Sequence, residues 1–289
     1  MTLRQLSVSG RSLTIAAALV GMVSLAIGAP AALNKRSLDM AKAAEAAQTR
    51  PASDKASRLA LVIGNGHYPD ANAPLAQPIN DARAMTAALR REGFDVDVVE
   101  DASRDDIIRA VDRLQARINP ESVVLLFFGG YGVQAGRESY MIPVDAAIWK
   151  ESDVRRQGVS VESVLGTMKQ KGAHARIAVV DASRRNPYER RFRSFSHGLA
   201  PINAPDNTLI LSSATPGKVA EDSQGANSLL VTELLNNIGS KAAGAEALFT
   251  QTRIAVSRAS NGEQVPSVSS SLLQDVHLAA EMAAENAGG

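Results

Sequence analysis

The chain has 289 residues, 45% of them apolar and 21% charged, which suits one medium-sized domain with appendages. Its 31 basic and 30 acidic residues give a formal charge of +1, so charge provides no argument for a nucleic-acid partner. The absence of cysteine excludes a thiolate nucleophile, a disulfide and a thiolate-bound metal.

The N-terminal segment has the pattern of an export signal. Arg4 and Arg11 precede an apolar stretch over residues 13–27, and residues 29–31 (Ala-Pro-Ala) provide the small residues of a cleavage site. We therefore predict a cleaved signal peptide over residues 1–31 and a periplasmic or secreted protein. An uncleaved inner-membrane anchor is the alternative, and it would be the protein's contact with a membrane. An ordinary buried helix is a third interpretation.

Residues 32–56 are rich in alanine and then in proline and serine, which predicts a short helix followed by a flexible linker. A folded domain is predicted over residues 57–278, and a disordered tail over residues 279–289.

Within the domain, short apolar runs alternate with helical patterns. The predicted strands are "RLALVIGN", "FDVDVVED", "SVVLLFF", "ARIAVVD", "NTLILSSA" and a short last strand within "EQVPSVSSSL". The predicted helices are "PINDARAMTAALRREGF", starting after Asn80-Asp81, "SRDDIIRAVDRLQARI", N-capped by Ser103, "VESVLGTMKQKG", "NSLLVTELLNNIG" and "GAEALFTQTRIAVSRAS". This alternation predicts an α/β fold with a mainly parallel sheet covered by helices on both faces.

In such sheets, functional groups collect beyond the carboxyl ends of the strands. Four strand ends therefore carry the candidate site: residues 65–67, 129–132, 181–185 and 212–216.

The segments at these strand ends resemble the caspase-like peptidases, in particular the bacterial relatives of metacaspases. "ALVIGNGHY" is similar to the family's first strand, "FFGGYGVQAGRESYMIPVDA" to "YYSGHGVQ…G.NYLIPVDA", and "VVDASRRNPY" to "LLDACRNNPF". "PINDARAMTAALRREGF" resembles the family's first helix, and "NTLILSSATPGKVAEDSQGANSLLVTELL" its small subunit. The resemblance covers about residues 57–278 and implies a three-layer α/β/α sandwich with a six-stranded, mostly parallel sheet.

In active members of this family, the histidine of "GHG" is the general base and the cysteine of "DAC" is the nucleophile. The matching positions here are Tyr131 and Ser183. A tyrosine near pKa 10 is about 99.9% protonated at pH 7, so ionising it costs about 4 kcal/mol. A serine attacks only while a base removes its proton. We therefore predict a peptidase scaffold without peptidase chemistry, with the Tyr131 hydroxyl close enough to bond Ser183.

The resemblance also implies a pocket for a basic side chain. Asp81 of "NDA" and Asp181 of "DAS" match its acidic residues, while Gly129 replaces a serine that often lines it. Such a pocket would bind arginine or lysine through charge-assisted hydrogen bonds. The alternative is that Asp81 caps the helix that follows it and Asp181 anchors a loop.

Four histidines are candidates for a substitute base: His67, His174, His197 and His277. His67 is the best placed of the four, although a surface histidine in a glycine turn is the commoner explanation for it. No spacing indicates a zinc site or a phosphate-binding loop, so we predict no metal and no cofactor. Calcium is suggested by the family resemblance alone.

The loop after Ser183 is rich in arginine. It contains Arg184, Arg185, Arg190, Arg191 and Arg193. It could form a docking patch for an acidic partner or lipid surface, a protease-sensitive linker, or a solvated loop.

Together these features predict an exported, non-catalytic module that binds a peptide or protein partner in the cell envelope. The alternatives are a residual hydrolase that is specific for basic residues and uses Ser183, and a purely structural envelope domain.

Overall fold

The computed structural model describes residues 57–70, 74–188, 198–221, 225–240 and 243–279. The predicted signal peptide, the linker and all but the first residue of the predicted tail lie outside the described residues. Within the described ranges, no helix is long and apolar enough to cross a membrane.

Strands and helices alternate along the domain. The strands are β1 (Arg58–Gly64), β2 (Asp95–Glu100), β3 (Val123–Gly129), β4 (Gly132–Ala135), β5 (Glu138–Met141), β6 (Val159–Ser160), β7 (Ala175–Asp181), β8 (Thr208–Ser212) and β9 (Ser267–Ser270). The helices are α1 (Pro78–Arg91), α2 (Arg104–Gln115), α3 (Glu151–Gln157), α4 (Val161–Gln170), α5 (Leu229–Ile238) and α6 (Ala245–Ala259).

Six strands form the main sheet in the order β2-β1-β3-β7-β8-β9. The first five are parallel, and β9 runs antiparallel to β8. The predicted six-stranded, mostly parallel sheet is confirmed. Because β1, β3 and β7 are central and parallel, their carboxyl ends lie side by side at one edge.

Strand β3 is apolar at successive positions because both faces of the sheet are buried. Leu125 and Phe127 pack into the cluster formed with α1, α5 and α6, whereas Leu126 and Phe128 pack into the cluster formed with α2 and α4. Successive side chains of a strand point to opposite faces, so a strand with helices on both sides is apolar at every position. The predicted helical layers on both faces are confirmed.

Helix α1 begins earlier than predicted. It starts at Pro78 with Gln77 as the N-cap, so Asn80 and Asp81 lie inside its first turn. Proline is favoured at the first helical position because its missing N–H would have no helical partner there. The predicted N-cap of α2 is confirmed: Ser103 Oγ accepts from Asp106 N, and the Asp106 carboxylate accepts from Ser103 N.

A second sheet was not predicted from the sequence. Strands β4, β5 and β6 form an antiparallel three-stranded sheet, with Gly136 at a positive φ of 69° in the turn between β4 and β5. Side chains of this sheet and of the neighbouring loops form a third apolar cluster that contains Tyr68 and Tyr131. Short strands such as these carry too few residues for a reliable pattern.

Helix α1 lies directly on the carboxyl end of β1. A Cβ atom at Gly64 would lie 2.4 Å from the Pro78 carbonyl oxygen, whereas one at Gly129, its neighbour in β3, would meet nothing closer than 3.4 Å. Backbone atoms cannot move away as the tip of a side chain can, so of these two glycines Gly64 is the one that packing requires.

We expect Gly64→Ala to lower the free energy of unfolding by about 1–3 kcal/mol because it overpacks a backbone contact. Gly129→Ala, the matched control one strand away, should stay within about 1 kcal/mol of wild type. Urea denaturation measures both values. Equal losses in the two variants would contradict the proposed packing role of Gly64.

Candidate functional site

Two turns meet at the carboxyl edge of the sheet. Gly130 N donates to Asp181 O over 3.2 Å, and Gly132 N donates to Ala182 O over 3.0 Å. A Cβ atom at Gly132 would lie 2.9 Å from Ala182 Cβ, so the glycine is needed for this approach. The structure therefore brings together the turns that carry Tyr131 and Ser183.

Tyr131 is packed as an apolar group and is only 6% exposed. Its ring meets the edge of the Tyr68 ring at a centroid distance of 4.8 Å and an angle of 65°. Its backbone N–H donates to Tyr68 Oη over 3.0 Å, and Tyr68 Oη donates to Ile142 O over 3.2 Å. Burial raises the pKa of Tyr68, so this phenol stays protonated and remains a donor. Tyr68 thus holds the turn that carries Tyr131 in place.

Ser183 is 1% exposed and is held by its backbone. Its N–H donates to Ser213 Oγ over 3.2 Å, and its carbonyl accepts from Ala220 N over 2.6 Å. Across the described ranges, the Ser183 hydroxyl makes no hydrogen bond, and this includes the one predicted with Tyr131. No described side chain is therefore in position to accept its proton.

The described histidines lie elsewhere. His67, the best candidate from the sequence, has a 77% exposed side chain, and its Nδ1 lies 2.5 Å from Asp101 Oδ2. Asp101 follows β2, on the side of β1 away from β7. His174 precedes β7, and the His277 carbonyl binds Arg58 at the start of β1, so both lie at the opposite edge of the sheet. His197 lies outside the described residues.

Asp81 is fully buried and does not cap α1. Its Oδ1 accepts from Asn227 Nδ2 over 2.8 Å and from Ser228 N over 3.0 Å, where Ser228 is the N-cap of α5. The capping interpretation is wrong because the carboxylate points across to α5, away from the N-terminal N–H groups of its own helix. Asp81 therefore joins α1 to α5.

Asp181 and Arg184 are buried beside Asp81. Asp181 is 1% exposed and Arg184 4%, and Arg184 Nη2 lies 3.8 Å from Asp181 Oδ1. The sequence placed Arg184 in a possible docking loop, but its side chain is buried beside Asp181 and is not part of an exposed patch. Arg185 is exposed, and Arg190, Arg191 and Arg193 lie outside the described residues.

The pKa of Asp81 is raised to about 7, chiefly by burial and also by the negative charge of Asp181. The hydrogen bonds from Asn227 and Ser228 and the positive charge of Arg184 act in the opposite direction. The Oδ2 atoms of Asp81 and Asp181 are both buried and make no hydrogen bond. The two carboxylates are therefore only partly compensated.

A cleft of about 520 Å³ opens above this cluster. It is lined by Leu75, Tyr131, Arg184, Arg185, Val219, Ala220 and Glu221. Neither Asp81 nor Asp181 lines it, although the resemblance implied that they form a pocket for a basic side chain. Gly129, the third residue assigned to that pocket, is the buried last residue of β3 and lies in register with Asp181.

Within the described ranges there is no group of three or more histidine, aspartate or glutamate side chains arranged to hold a metal ion. The described side chains at the carboxyl edge of the sheet carry phenol, hydroxyl, carboxylate and guanidinium groups.

Several residues of the site were not found from the sequence. Tyr68 follows His67 in "GNGHY", where it reads as an ordinary loop residue. Asn227 and Ser228 precede α5 and resemble a simple helix start. These residues contact parts of the chain that are distant in sequence, so no local sequence pattern predicts their roles.

Comparison with known proteins gives a consistent result. A family model described as "Caspase domain" matches residues 57–277. Mucosa-associated lymphoid tissue lymphoma translocation protein 1 of Homo sapiens is 29% identical over 133 residues, which are 46% of this chain and 16% of the relative. The homolog of Mus musculus matches to the same extent. The matched segment thus spans about a sixth of the length of these curated relatives.

The fold is also similar to a solved structure, that of caspase-1 from Spodoptera frugiperda. The TM-score is 0.59 at 13% identity, and the match covers 78% of this chain and 91% of the caspase. At this identity the likeness concerns the fold alone.

Because the folded-state pKa of Asp81 is raised from 3.8 to about 7, ionising it opposes folding. Wild-type stability should fall as the pH rises from about 4 to about 7, and Asp81→Asn should remove part of this fall. The melting temperature of Asp81→Asn relative to wild type should therefore increase between pH 5 and pH 8, by an equivalent of about 1 kcal/mol or more.

Asp206→Asn is the control. Lys169 lowers the pKa of the exposed Asp206 carboxyl, so both its folded and unfolded states are ionised throughout this range. Its melting temperature should run parallel to that of wild type from pH 5 to pH 8. A parallel curve for Asp81→Asn as well would contradict the raised pKa.

Proposed function

The chain belongs to the caspase domain family, and we propose that it is a member without peptidase activity. The observation that carries this proposal is the state of the Ser183 hydroxyl, which is buried and has no base among the described residues. Tyr131 occupies the position of the family's general base, and its phenol ring packs against Tyr68.

The chemistry supports the proposal because the two replacements reinforce each other. A cysteine nucleophile partly supplies its own thiolate, whereas a serine depends entirely on a neighbouring base. A phenol near pKa 10 is a poor proton acceptor at neutral pH. Ser183 therefore lacks a neighbouring base that could remove its proton during attack on a carbonyl.

We propose that the cleft above these residues binds a peptide segment of a partner protein. Its volume of about 520 Å³ is within the usual range for a ligand site, and its lining combines apolar and charged groups. Tyr131 contributes an aromatic ring to the lining, and Arg185 and Glu221 contribute charged groups. Such a cleft can hold a peptide and leave its bonds intact.

We expect the purified protein to show no turnover of peptide reporters ending in arginine or lysine, with or without calcium, above a Ser183→Ala control. Fluorescence release at pH 7 to 8 measures this rate. Turnover that disappears in Ser183→Ala would contradict the proposal and support the residual hydrolase.

The double variant Tyr131→His and Ser183→Cys tests whether positions 131 and 183 lie within reach of each other. Because the backbone hydrogen bonds between the two turns do not involve these side chains, we expect the double variant to fold. We also expect it to label with iodoacetamide at least tenfold faster than Ser183→Cys alone, since a histidine beside the cysteine increases the thiolate fraction. Equal labelling rates would show that positions 131 and 183 are not within reach of each other.

We also propose that the protein resides in the cell envelope, on the support of the N-terminal charge and apolar pattern. Fractionation of a bacterial host that produces the full chain should recover it in the periplasm with an N-terminus at Ala32. A membrane-bound protein that retains Met1 would indicate the anchor, and a cytoplasmic protein that retains Met1 would contradict export.

A further inference from the structure

Two asparagine–glycine steps occur in the chain, Asn65-Gly66 and Asn261-Gly262. In such a step the backbone nitrogen of glycine can attack the side-chain amide carbon of asparagine, because glycine has no Cβ atom beside that nitrogen. Neither step lines the cleft, and neither takes part in the proposed function. The structure places the two steps in opposite environments, the first buried and the second exposed.

We propose that Asn261 is a site of spontaneous deamidation, and that the modification weakens the connection between α6 and β9. A bond forms between Gly262 N and Asn261 Cγ, the Cγ–Nδ2 bond breaks, and ammonia leaves with the proton of the Gly262 N–H. Water then opens the resulting five-membered imide at either carbonyl carbon, which gives aspartate or isoaspartate. Water is the only co-reactant.

Asn65-Gly66 is protected because its reacting groups are already engaged. Asn65 is 0% exposed, its Oδ1 accepts from Ala102 N over 2.8 Å, and its Nδ2 donates to Ile142 O over 3.2 Å. Gly66 N, the nitrogen that would attack, donates to Asp101 Oδ1 over 2.8 Å. Attack would require all of these bonds to break together inside the fold, so this step serves as an internal reference.

Asn261-Gly262 lies in the turn that follows α6, and it is exposed to water. The Asn261 side chain makes no hydrogen bond with any described residue, so its amide carbon is open to attack. Gly262 N donates to Ser257 O over 2.7 Å, and this single bond has to open before the nitrogen reaches the amide. Helix ends open locally at a much lower free energy than buried strands do. Of the two steps, Asn261-Gly262 is therefore the one that reacts in the folded protein.

The same turn leads directly into a contact with the candidate site. Gln264 is buried, its backbone N–H donates to Ser260 Oγ over 3.0 Å, and its Nε2 donates to Ser213 O over 2.9 Å. Ser213 Oγ in turn accepts from Ser183 N. Isoaspartate adds one carbon atom to the main chain before Gln264, and either product adds a negative charge at the negative end of the α6 dipole. Both changes weaken the turn that holds Gln264 in place.

The purified full chain, incubated at mildly alkaline pH and digested at intervals, tests the proposal. Mass spectrometry with fragmentation measures the fraction of each asparagine in which a hydroxyl has replaced the amide nitrogen. We expect Asn261 to convert at least about tenfold faster than Asn65, and to give separable aspartyl and isoaspartyl peptides. The melting temperature of the wild-type protein should fall as the converted fraction rises.

Asn261→Gly is the matched control, because glycine fits the positive φ of 53° at this position and carries no amide. Its melting temperature should stay constant through the same incubation. Equal conversion at both steps would overturn the proposal, as would an unchanged Asn261 under conditions that convert a free peptide of residues 257–265. A wild-type melting temperature that falls no faster than that of Asn261→Gly would overturn the proposed weakening of the turn. These outcomes are independent of the hydrolysis and labelling tests of the proposed function.

Discussion

Two backbone hydrogen bonds hold the site together, from Gly130 N to Asp181 O and from Gly132 N to Ala182 O. They join the turn after β3 to the turn after β7, and each involves only main-chain atoms. A side chain can therefore change at position 131 or 183 without loss of the contact between the turns. The contact between the two turns is thus independent of which side chains stand at these two positions.

The two hydrogen-bonded turns also set the environment of the Tyr131 and Ser183 side chains. Tyr68 accepts a hydrogen bond from Tyr131 N and packs against the Tyr131 ring, so the phenol belongs to an apolar cluster. Ser183 is held by its own backbone to Ser213 and Ala220, and its hydroxyl has no acceptor in the described part of the chain. Packing and proton chemistry therefore both support the proposed function, in which the cleft binds a peptide and does not cleave it.

Charge is distributed unevenly around this frame. Asp81 connects α1 to the start of α5 and lies near Asp181, while Arg184 provides the opposing charge. The raised pKa of Asp81 shows that this compensation is incomplete, since burial and a like charge outweigh the hydrogen bonds. Arg184 and Arg185 are among the residues that line the cleft, together with Glu221, whereas Asp81 and Asp181 do not line it.

Periodicity and capping residues are local signals, and they were enough to predict the layered α/β fold and the capping of α2 by Ser103. The family resemblance implied that the turns with Tyr131 and Ser183 are neighbours. The sequence by itself did not reveal that α1 begins at Pro78, that β4, β5 and β6 form a second sheet, or that Asp81 binds the start of α5. Nor did it show that Arg184 is buried, since a run of arginines reads as a solvated loop. Each of these features depends on contacts between segments that are far apart in the chain, so it became visible only in the folded protein.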